Sequence, residues 1–273
     1  MNLDTALEEL AHRPDAALDL AELALRLAVD EYPDLDVEAH LGELAGMAHE
    51  VQVYLRGSLP ERVHGLCRYL FHDMGFRGNT GDYYDPRNSY FNEVLERKTG
   101  LPITLSILAM SVGGRAGLRT LGIGLPGHFV AQAVDDGQTV LFDPFHGGRS
   151  LSVEECEGLV QRITQSPFRA TPDQMRPLPT ASIVLRMLAN LKGVYLRGGD
   201  FVRAARVISR MRQVVPNDPL QERDLGIALL NAGQPGRALD LLKAYLASGP
   251  EADDTVAIRE LVKRAQGEVA RWN

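Results

Sequence analysis

The sequence has few of the features that mark secreted or membrane proteins. Its 273 residues contain two cysteines, Cys67 and Cys156, so at most one disulfide can form and a disulfide framework is excluded. No segment approaches the ~20 consecutive apolar residues that cross a bilayer, and residues 1–10 lack the basic start and apolar centre of a signal peptide. We therefore expect a cytoplasmic protein in a reducing compartment, without a membrane partner.

Positive charge is also scarce. The 29 Lys and Arg residues are outnumbered by 36 Asp and Glu residues, which gives a net charge of −7. The sequence has no basic run that would neutralise a phosphate backbone, so nucleic acid is not an expected partner. A hydrophobic share of 45% and a charged share of 24% are typical of globular proteins, and the length favours two domains.

The N-terminal part of the chain is predicted to be helical. Apolar residues at helical spacing indicate helices between residues 3 and 57, and Asp34 or Asp36 is a candidate N-cap of the second long helix. A further helix is predicted over 61–74, and the glycine-rich segment 75–81 ends it.

Two prolines mark predicted helix starts in the centre of the chain. Asp85 is an N-cap acceptor and Pro86 suits the first helical position, which predicts a helix over 86–98 that Gly100 closes. The next predicted helix, 102–116, also opens with a proline and is apolar on nearly every face. Such a helix belongs in the middle of a core.

Three short segments then have the pattern of β-strands. They cover residues 119–124, 128–134 and 139–143, and the last two are joined by a turn that contains Asp136-Gly137. We expect an antiparallel hairpin with a flanking strand. The segment from Ser152 to Glu155 has the form of a capping box, which predicts a helix after the sheet.

The last third of the chain repeats itself. A shift of 34 residues, the period of tetratricopeptide repeats (TPRs), superposes turn glycines and small helix-contact residues. The superposed pairs are Leu191 and Leu225, Leu196 and Leu230, Gly199 and Gly233, Ala204 and Ala238, Val207 and Leu241, and Ile208 and Leu242. About two units precede a terminal capping helix that runs from Asp253 to the end.

These patterns predict an α+β protein built from three segments. Residues 1–60 form a helical N-terminal segment, residues 61–175 form a core with an antiparallel sheet, and residues 178–273 form an all-α domain of TPR-like hairpins. The boundary before the last domain is placed in the proline-rich stretch from Pro167 to Pro179.

One pair of residues on the predicted hairpin points to chemistry. If Val134 pairs with Gly137, residue numbers across the hairpin sum to 271, and His128 lies directly opposite Asp143. A carboxylate held against one imidazole nitrogen fixes the tautomer, as in the orienting pair of a nucleophilic triad. The pair either has that role or ties two strands together by a structural hydrogen bond.

Four ordered motifs are spread over the centre of the chain: Asp85–Tyr90, Arg97–Ser106, Gly124–Phe129 and Asp143–Gly148. Together they resemble the bacterial SirB-type proteins. The resemblance covers most of the chain and implies a transglutaminase-like (papain-like) core followed by a TPR tail.

The resemblance also implies that the usual nucleophile is missing. In active members of the transglutaminase-like superfamily a Gly-x-Cys sequence opens the central helix, and Gly100-Leu101-Pro102 stands in that place here. His128 and Asp143 match the superfamily's His and Asp. Cys67 and Cys156 belong to other predicted helices, so the resemblance implies a core without the catalytic cysteine.

Other groups are candidates for the missing role. Thr104 and Ser106 are hydroxyl nucleophiles that His128 would activate, or they bond the backbone of their own helix. Asn88 and Ser89, near a predicted helix start, are binding residues with the amide as an oxyanion donor, or they are helix caps.

Aromatic and histidine side chains complete the candidate site. Tyr83, Tyr84, Tyr90 and Phe91 either line a groove or form a wall packed under the central helix. Tyr90 and His146 are included among the candidate binding residues. The histidines have no H-E-x-x-H or similar spacing, so neither a metal nor a cofactor is expected.

Two functions are compatible with these features. The first is a non-catalytic or weakly catalytic protein that binds a peptide or protein partner, with the TPR-like tail as a scaffold or as a seal on the core. The alternative is a hydrolase or acyl transferase that uses His128 and Asp143 with a hydroxyl or displaced thiol nucleophile. They differ in whether a nucleophile lies within hydrogen-bond reach of His128.

Overall fold

The computed structural model describes residues 2–249 and 252–271. The described chain forms two compact units, one of residues 15–187 and one of residues 2–14 together with 188–271. The first unit contains an antiparallel sheet and the second is all-α, so the chain has the predicted α+β fold. Within the described residues no helix combines the length and apolarity of a membrane span.

The N-terminal helices begin at carboxamide and carboxylate caps. The helices are α1 (Leu3–His12), α2 (Leu20–Ala28) and α3 (Val37–Val51), and their N-caps are Asn2, Asp19 and Asp36. Of the two predicted caps of the second long helix, Asp36 is the one used. The α1 helix belongs to the all-α unit, whereas α2 and α3 belong to the sheet-containing unit.

The helix predicted over 61–74 has two parts. Helix α4 (Leu59–Cys67) begins two residues earlier than predicted, because Ser58 and Glu61 form a capping box. It continues as a wider π-helical turn over Arg68–Asp73. Cys67 therefore lies where the helix changes its winding.

The prediction of one continuous helix over 86–98 is wrong. Pro86–Asn88 form a single 3₁₀ turn, and α5 (Phe91–Arg97) starts only after Tyr90, whose extended backbone interrupts the helix. Lys98 ends α5 in the left-handed conformation at φ 53°, so Gly100 is not the residue that closes it. Gly100 instead lies in β2 (Thr99–Gly100), which pairs in parallel with β1 (Arg77–Gly78).

The predicted central helix is confirmed as α6 (Pro102–Arg115). Eleven of its 14 residues are buried, which is why apolar residues cover nearly every face. The helix packs against α3 and against one face of the four-stranded sheet.

The sheet has the antiparallel order β3-β4-β5-β6. Its strands are β3 (Thr120–Leu125), β4 (His128–Asp135), β5 (Gln138–Asp143) and β6 (Arg149–Leu151). The first three match the predicted strands, whereas the three residues of β6 are too few for a sequence pattern. The predicted capping box at Ser152 is confirmed and starts α7 (Val153–Thr164), which packs on the face opposite α6.

The predicted register of the hairpin is wrong by two residues. Asp135 pairs with Gln138, so residue numbers across the hairpin sum to 273 rather than 271. Asp136 and Gly137 both have positive φ, at 43° and 77°, and form the two-residue turn that suits a twisted hairpin. His128 and Asp143 are therefore not directly opposite each other.

The C-terminal helices form antiparallel hairpins with the predicted repeat. They are α8 (Thr180–Gly198), α9 (Phe201–Val214), α10 (Pro219–Asn231), α11 (Pro235–Ala247) and α12 (Ala252–Ala270). Gly199 and Gly233 turn the chain with φ of 71° and 75°, and the fully buried Ala204 and Ala238 lie where helices approach closely. The last two residues of the predicted capping helix lie outside the described residues.

Candidate functional site

The imidazole of His128 contacts the carboxylate of Asp143. The Nε2 atom of His128 lies 3.1 Å from Oδ2 of Asp143, and both side chains are almost fully buried. The two residues lie at the same end of neighbouring strands, so the contact forms diagonally across β4 and β5. His128 and Asp143 therefore lie close together as predicted, although the predicted register of the hairpin is wrong.

A second histidine shares the same carboxylate oxygen. Nδ1 of His146 lies 2.7 Å from Oδ2 of Asp143, while Oδ1 accepts backbone N–H bonds from Phe145 and His146 at 3.1 and 3.4 Å. These contacts arise because Pro144–His146 form a 3₁₀ turn that Asp143 caps. Both oxygens of the buried carboxylate are therefore engaged.

The hydrogen bonds set the charge of the carboxylate. Burial by itself raises the pKa of Asp143, but the hydrogen bonds from His128 and His146 outweigh it and hold the pKa below its usual value. Asp143 is thus an anion at neutral pH. An ionised carboxylate can orient an imidazole or ligate a cation.

The two candidate hydroxyl nucleophiles are both bonded to the backbone. Thr104 Oγ1 donates to the carbonyl oxygens of Asn88 and Leu101, at 3.0 and 3.2 Å, and accepts the N–H of Leu101 at 2.9 Å. Ser106 Oγ donates to the carbonyl of Pro102 at 2.7 Å. Both side chains are fully buried, so each hydroxyl has the backbone-bonded role that was the alternative to nucleophilic attack.

The two thiols are buried and poorly acidic. Cys67 packs against the backbone of Gly148, where any side chain would overlap its Sγ atom, and burial raises the pKa of its thiol. Burial and the negative charge of Asp143 raise the pKa of Cys156 to about 11. Cys156 belongs to the apolar cluster between the sheet and α7. Neither thiol is a thiolate at neutral pH.

The predicted binding residues of the Asp85–Tyr90 motif lie inside the protein. The amide of Asn88 donates to the carbonyls of Asp82 and Tyr83 at 2.8 and 3.3 Å, so it ties a loop together. Ser89 Oγ is buried without a hydrogen-bond partner among the described residues. Tyr90 is buried and packs edge-on against Tyr32 at 5.4 Å, so its ring does not line an exposed groove.

An aromatic series leads from the surface to His128. Tyr84 is 61% exposed and Tyr83 is 37% exposed, and their rings meet edge-on at 5.4 Å. Tyr83 contacts the ring of Phe145 at 6.1 Å, and Phe145 contacts the imidazole of His128 at 6.0 Å. Phe145 was not among the predicted site residues, although it stands in the Asp143–Gly148 motif.

A half-buried arginine supports the strand that carries His128. The guanidinium of Arg186 donates to the carbonyls of Leu125 and His128, at 2.9 and 2.8 Å. A side chain at Gly124 would overlap Arg186 and Leu178. The backbone at Gly124 is therefore approached closely by side chains of the same chain, and no motif around Arg186 could have indicated its role.

A cleft of about 700 Å³ lies beside the loop that follows His146. Its volume is in the range of ligand-binding pockets. The lining residues are His64, Cys67, Arg68, Phe71, His72, Gly147, Gly148, Arg149 and Ser150. The cleft thus joins the wider turn after α4 to the edge strand β6.

Family models match both parts of the chain. Residues 36–189 match the transglutaminase-like superfamily model, and residues 191–263 match a tetratricopeptide repeat model. The first match covers more than half of the chain, and it falls almost entirely on the sheet-containing unit of residues 15–187. The fold and the repeats together define a transglutaminase-like core followed by TPRs.

The relatives are bacterial and eukaryotic. A UPF0162 protein of Xylella fastidiosa (strain Temecula1) is 38% identical over 92% of this chain and 91% of its own length, and a UPF0162 protein of Vibrio cholerae is 28% identical over 77% and 78%. The human F-box only protein 21 is 27% identical over 72% of this chain but 30% of its own length. No solved structure is a significant match. The chain belongs to the transglutaminase-like superfamily, in the group of the UPF0162 proteins.

Proposed function

We propose that the chain is a SirB-type cytoplasmic protein, non-catalytic or weakly catalytic, that binds a peptide or protein partner. One observation carries the proposal: each group that was a candidate nucleophile is already bonded or buried. Pro102 opens the central helix, Thr104 and Ser106 are bonded to the backbone, and both thiols are protonated at neutral pH.

Two features support a binding role. TPR hairpins form concave surfaces that hold extended or helical peptides. The exposed rings of Tyr83 and Tyr84 provide a second surface, since tyrosine contributes large contact area at interfaces for little conformational entropy. The free thiols of Cys67 and Cys156 are compatible with a reducing compartment such as the cytoplasm.

The alternative function rests on the intact pair of His128 and Asp143. A hydrolase or acyl transferase would need a hydroxyl within reach of the imidazole. The hydroxyl of Thr104 would have to leave its bonds to Leu101 and Asn88, and exchanging buried hydrogen bonds in this way costs about 1–3 kcal/mol for each group left unpaired. The binding role needs no such change.

A peptide-display screen tests the proposal. The full-length chain, immobilised and treated with chelator, is screened against displayed random peptides, and affinities of the enriched peptides are measured by calorimetry. We expect Tyr84→Ala to weaken binding at the core surface by roughly tenfold or more, as for an aromatic interface residue. Val53→Ala, which truncates another exposed apolar side chain (63% exposed), is the matched control and should not change the affinity.

The same protein is assayed for turnover of acyl and peptide substrates. We expect no turnover that depends on His128. Turnover that His128→Ala abolishes, together with a screen that enriches no peptide, would establish the alternative function and reject the binding proposal.

A further inference from the structure

Three potential metal ligands converge at the end of the hairpin. Ligand atoms of His128, Asp143 and His146 all lie within 4.8 Å of one another. Oδ2 of Asp143 lies 3.1 Å from Nε2 of His128 and 2.7 Å from Nδ1 of His146. The imidazole rings are 5.7 Å apart between centroids and are inclined by 30°. The two nitrogens therefore approach one carboxylate oxygen from neighbouring directions.

These separations are close to those around a small divalent cation. Bonds of about 2.0–2.1 Å in a tetrahedral site place ligand atoms roughly 3.3 Å apart. The two contacts to Asp143 are already near this value, so only the two nitrogens must draw together. His146 is the adjustable member, because its side chain is 44% exposed and is followed by Gly147 and Gly148 in the left-handed conformation.

The surroundings of Asp143 fix the direction of its second oxygen. Oδ1 is held by the backbone N–H groups of Phe145 and His146, which leaves Oδ2 aimed between the imidazoles. Hydrogen bonds of this kind orient metal ligands in known sites and are important for metal affinity. His128 is held in turn, because Arg186 binds its carbonyl oxygen.

Three lone-pair donors directed at one point repel each other unless positive charge lies between them. In the metal-free protein, protons on the imidazole nitrogens supply that charge as hydrogen bonds. A single divalent cation can replace both protons and neutralise the buried carboxylate. The same arrangement that forms a hydrogen-bonded cluster is therefore suited to bind a cation.

We infer that His128, Asp143 and His146 form a binding site for a divalent transition-metal ion. Two imidazoles and one carboxylate select ions such as Zn²⁺ or Co²⁺, because Mg²⁺ and Ca²⁺ prefer oxygen ligands alone. Three protein ligands leave at least one coordination position for water or for a group of the bound partner. This inference goes beyond the proposed peptide binding and does not depend on it.

No metal was expected from the sequence because Asp143 and His146 lie 15 and 18 positions after His128. Short spacings such as H-E-x-x-H place two ligands on one helix, whereas here a strand pair and a 3₁₀ turn bring the ligands together. Only the fold reveals the group.

Titration of the full-length chain with Zn²⁺ and Co²⁺ tests the inference. After removal of metals with chelator and dialysis, calorimetry should give one Zn²⁺ per chain, and Co²⁺ should develop the intense visible absorption of a low-coordinate site. His146→Ala removes a half-exposed ligand and should weaken binding by at least about 100-fold, more than the 10- to 100-fold effect of outer-shell changes. Circular dichroism verifies that the variant is folded.

The matched control is His72→Ala. His72 is an exposed histidine whose Nδ1 lies 2.8 Å from Oδ1 of Asp73, so it forms a histidine–aspartate pair without a third ligand in the described chain. The His72→Ala variant should bind Zn²⁺ and Co²⁺ with the same stoichiometry and the same affinity as the wild type. Equal affinity in the wild type and His146→Ala, or binding that only His72→Ala removes, would overturn the inference. Wild-type protein that binds neither ion would overturn it as well.

Discussion

The site is organised around a single residue, Asp143. Its buried carboxylate contacts His128 and His146 and caps the 3₁₀ turn that carries His146. The hairpin pattern was enough to predict that His128 and Asp143 lie close together, although the register assumed for it was wrong. They could not predict the shared oxygen, because the position of His146 depends on a 3₁₀ turn of three residues. Arg186 was missed for a similar reason, since its contacts come from a helix more than 50 residues away.

Asp85 shows how one buried carboxylate stabilises the fold near this site. The hydrogen bond from Arg87 holds the pKa of Asp85 below its usual value, with a smaller contribution from Arg97, whereas burial opposes the shift. A carboxyl whose pKa is lower in the folded state stabilises the protein above its unfolded pKa of about 4 and loses that effect as the pH falls.

We therefore predict that Asp85→Asn lowers the free energy of unfolding at pH 7 by about 1 kcal/mol, a modest value because Arg87 is half exposed. The asparagine oxygen can still accept the N–H of Arg87, so the cap is kept. Urea unfolding of both proteins at pH 7 and pH 3 measures the effect. The difference should shrink at pH 3, and a difference that is the same at both pH values would contradict the role of the charge.

At the scale of elements, helices and strands were predictable where a long pattern or a cap defines them. The buried helix α6 and the capping box of α7 are examples. The break at Tyr90 and the register of the hairpin were not predictable, because backbone dihedral angles at one or two residues decide them. A two-residue turn at Asp136-Gly137 moves every pair of the hairpin by one position on each strand.

The loop from Asp143 to β6 depends on close packing against α4. Gly147 and Gly148 have nearly the same positive φ, 74° and 77°, but a side chain at Gly147 meets no atom within 4 Å, whereas one at Gly148 overlaps Cys67. A substitution at Gly147 therefore introduces backbone strain alone, whereas a substitution at Gly148 introduces both strain and a steric overlap.

We predict that Gly147→Ala destabilises the protein by about 1–2 kcal/mol, the cost of the left-handed conformation. Gly148→Ala should cost about 2–5 kcal/mol in total, because overpacking adds to the strain. Chemical denaturation of both variants provides the measurement. Equal losses of stability would show that contact with Cys67 does not hold the loop.

For the whole molecule, the main feature that sequence patterns did not reveal is that α1 belongs to the same unit as the C-terminal helices. The periodicity predicted the helix, but its partner lies about 200 residues away in the chain. Ala6, Leu7 and Leu10 are buried, and α1 packs on α9. Asp4 is paired with Arg210 and accepts a bond from Gln213 at 3.0 Å.

This arrangement predicts that a cavity in α1 destabilises the C-terminal unit. Leu7→Ala should cost about 2–5 kcal/mol, as for other fully buried leucines, and should accelerate amide hydrogen exchange within residues 188–249. Leu25→Ala in α2, an equally buried leucine in the core cluster around α6, is the control and should accelerate exchange within residues 15–187. Faster exchange in the same segment for both variants would contradict the division into units.

We propose that, in the described part of the chain, no activated nucleophile lies beside His128. The native full-length protein is labelled with iodoacetamide and with a fluorophosphonate probe across a pH series, and the labelled residues are mapped by mass spectrometry. We predict slow labelling of Cys67 and Cys156 at pH 7, an increase for Cys156 toward pH 11, no label on Thr104 or Ser106, and full labelling of both thiols after unfolding. Rapid labelling of one residue at pH 7 that His128→Ala removes would show that His128 activates a nucleophile.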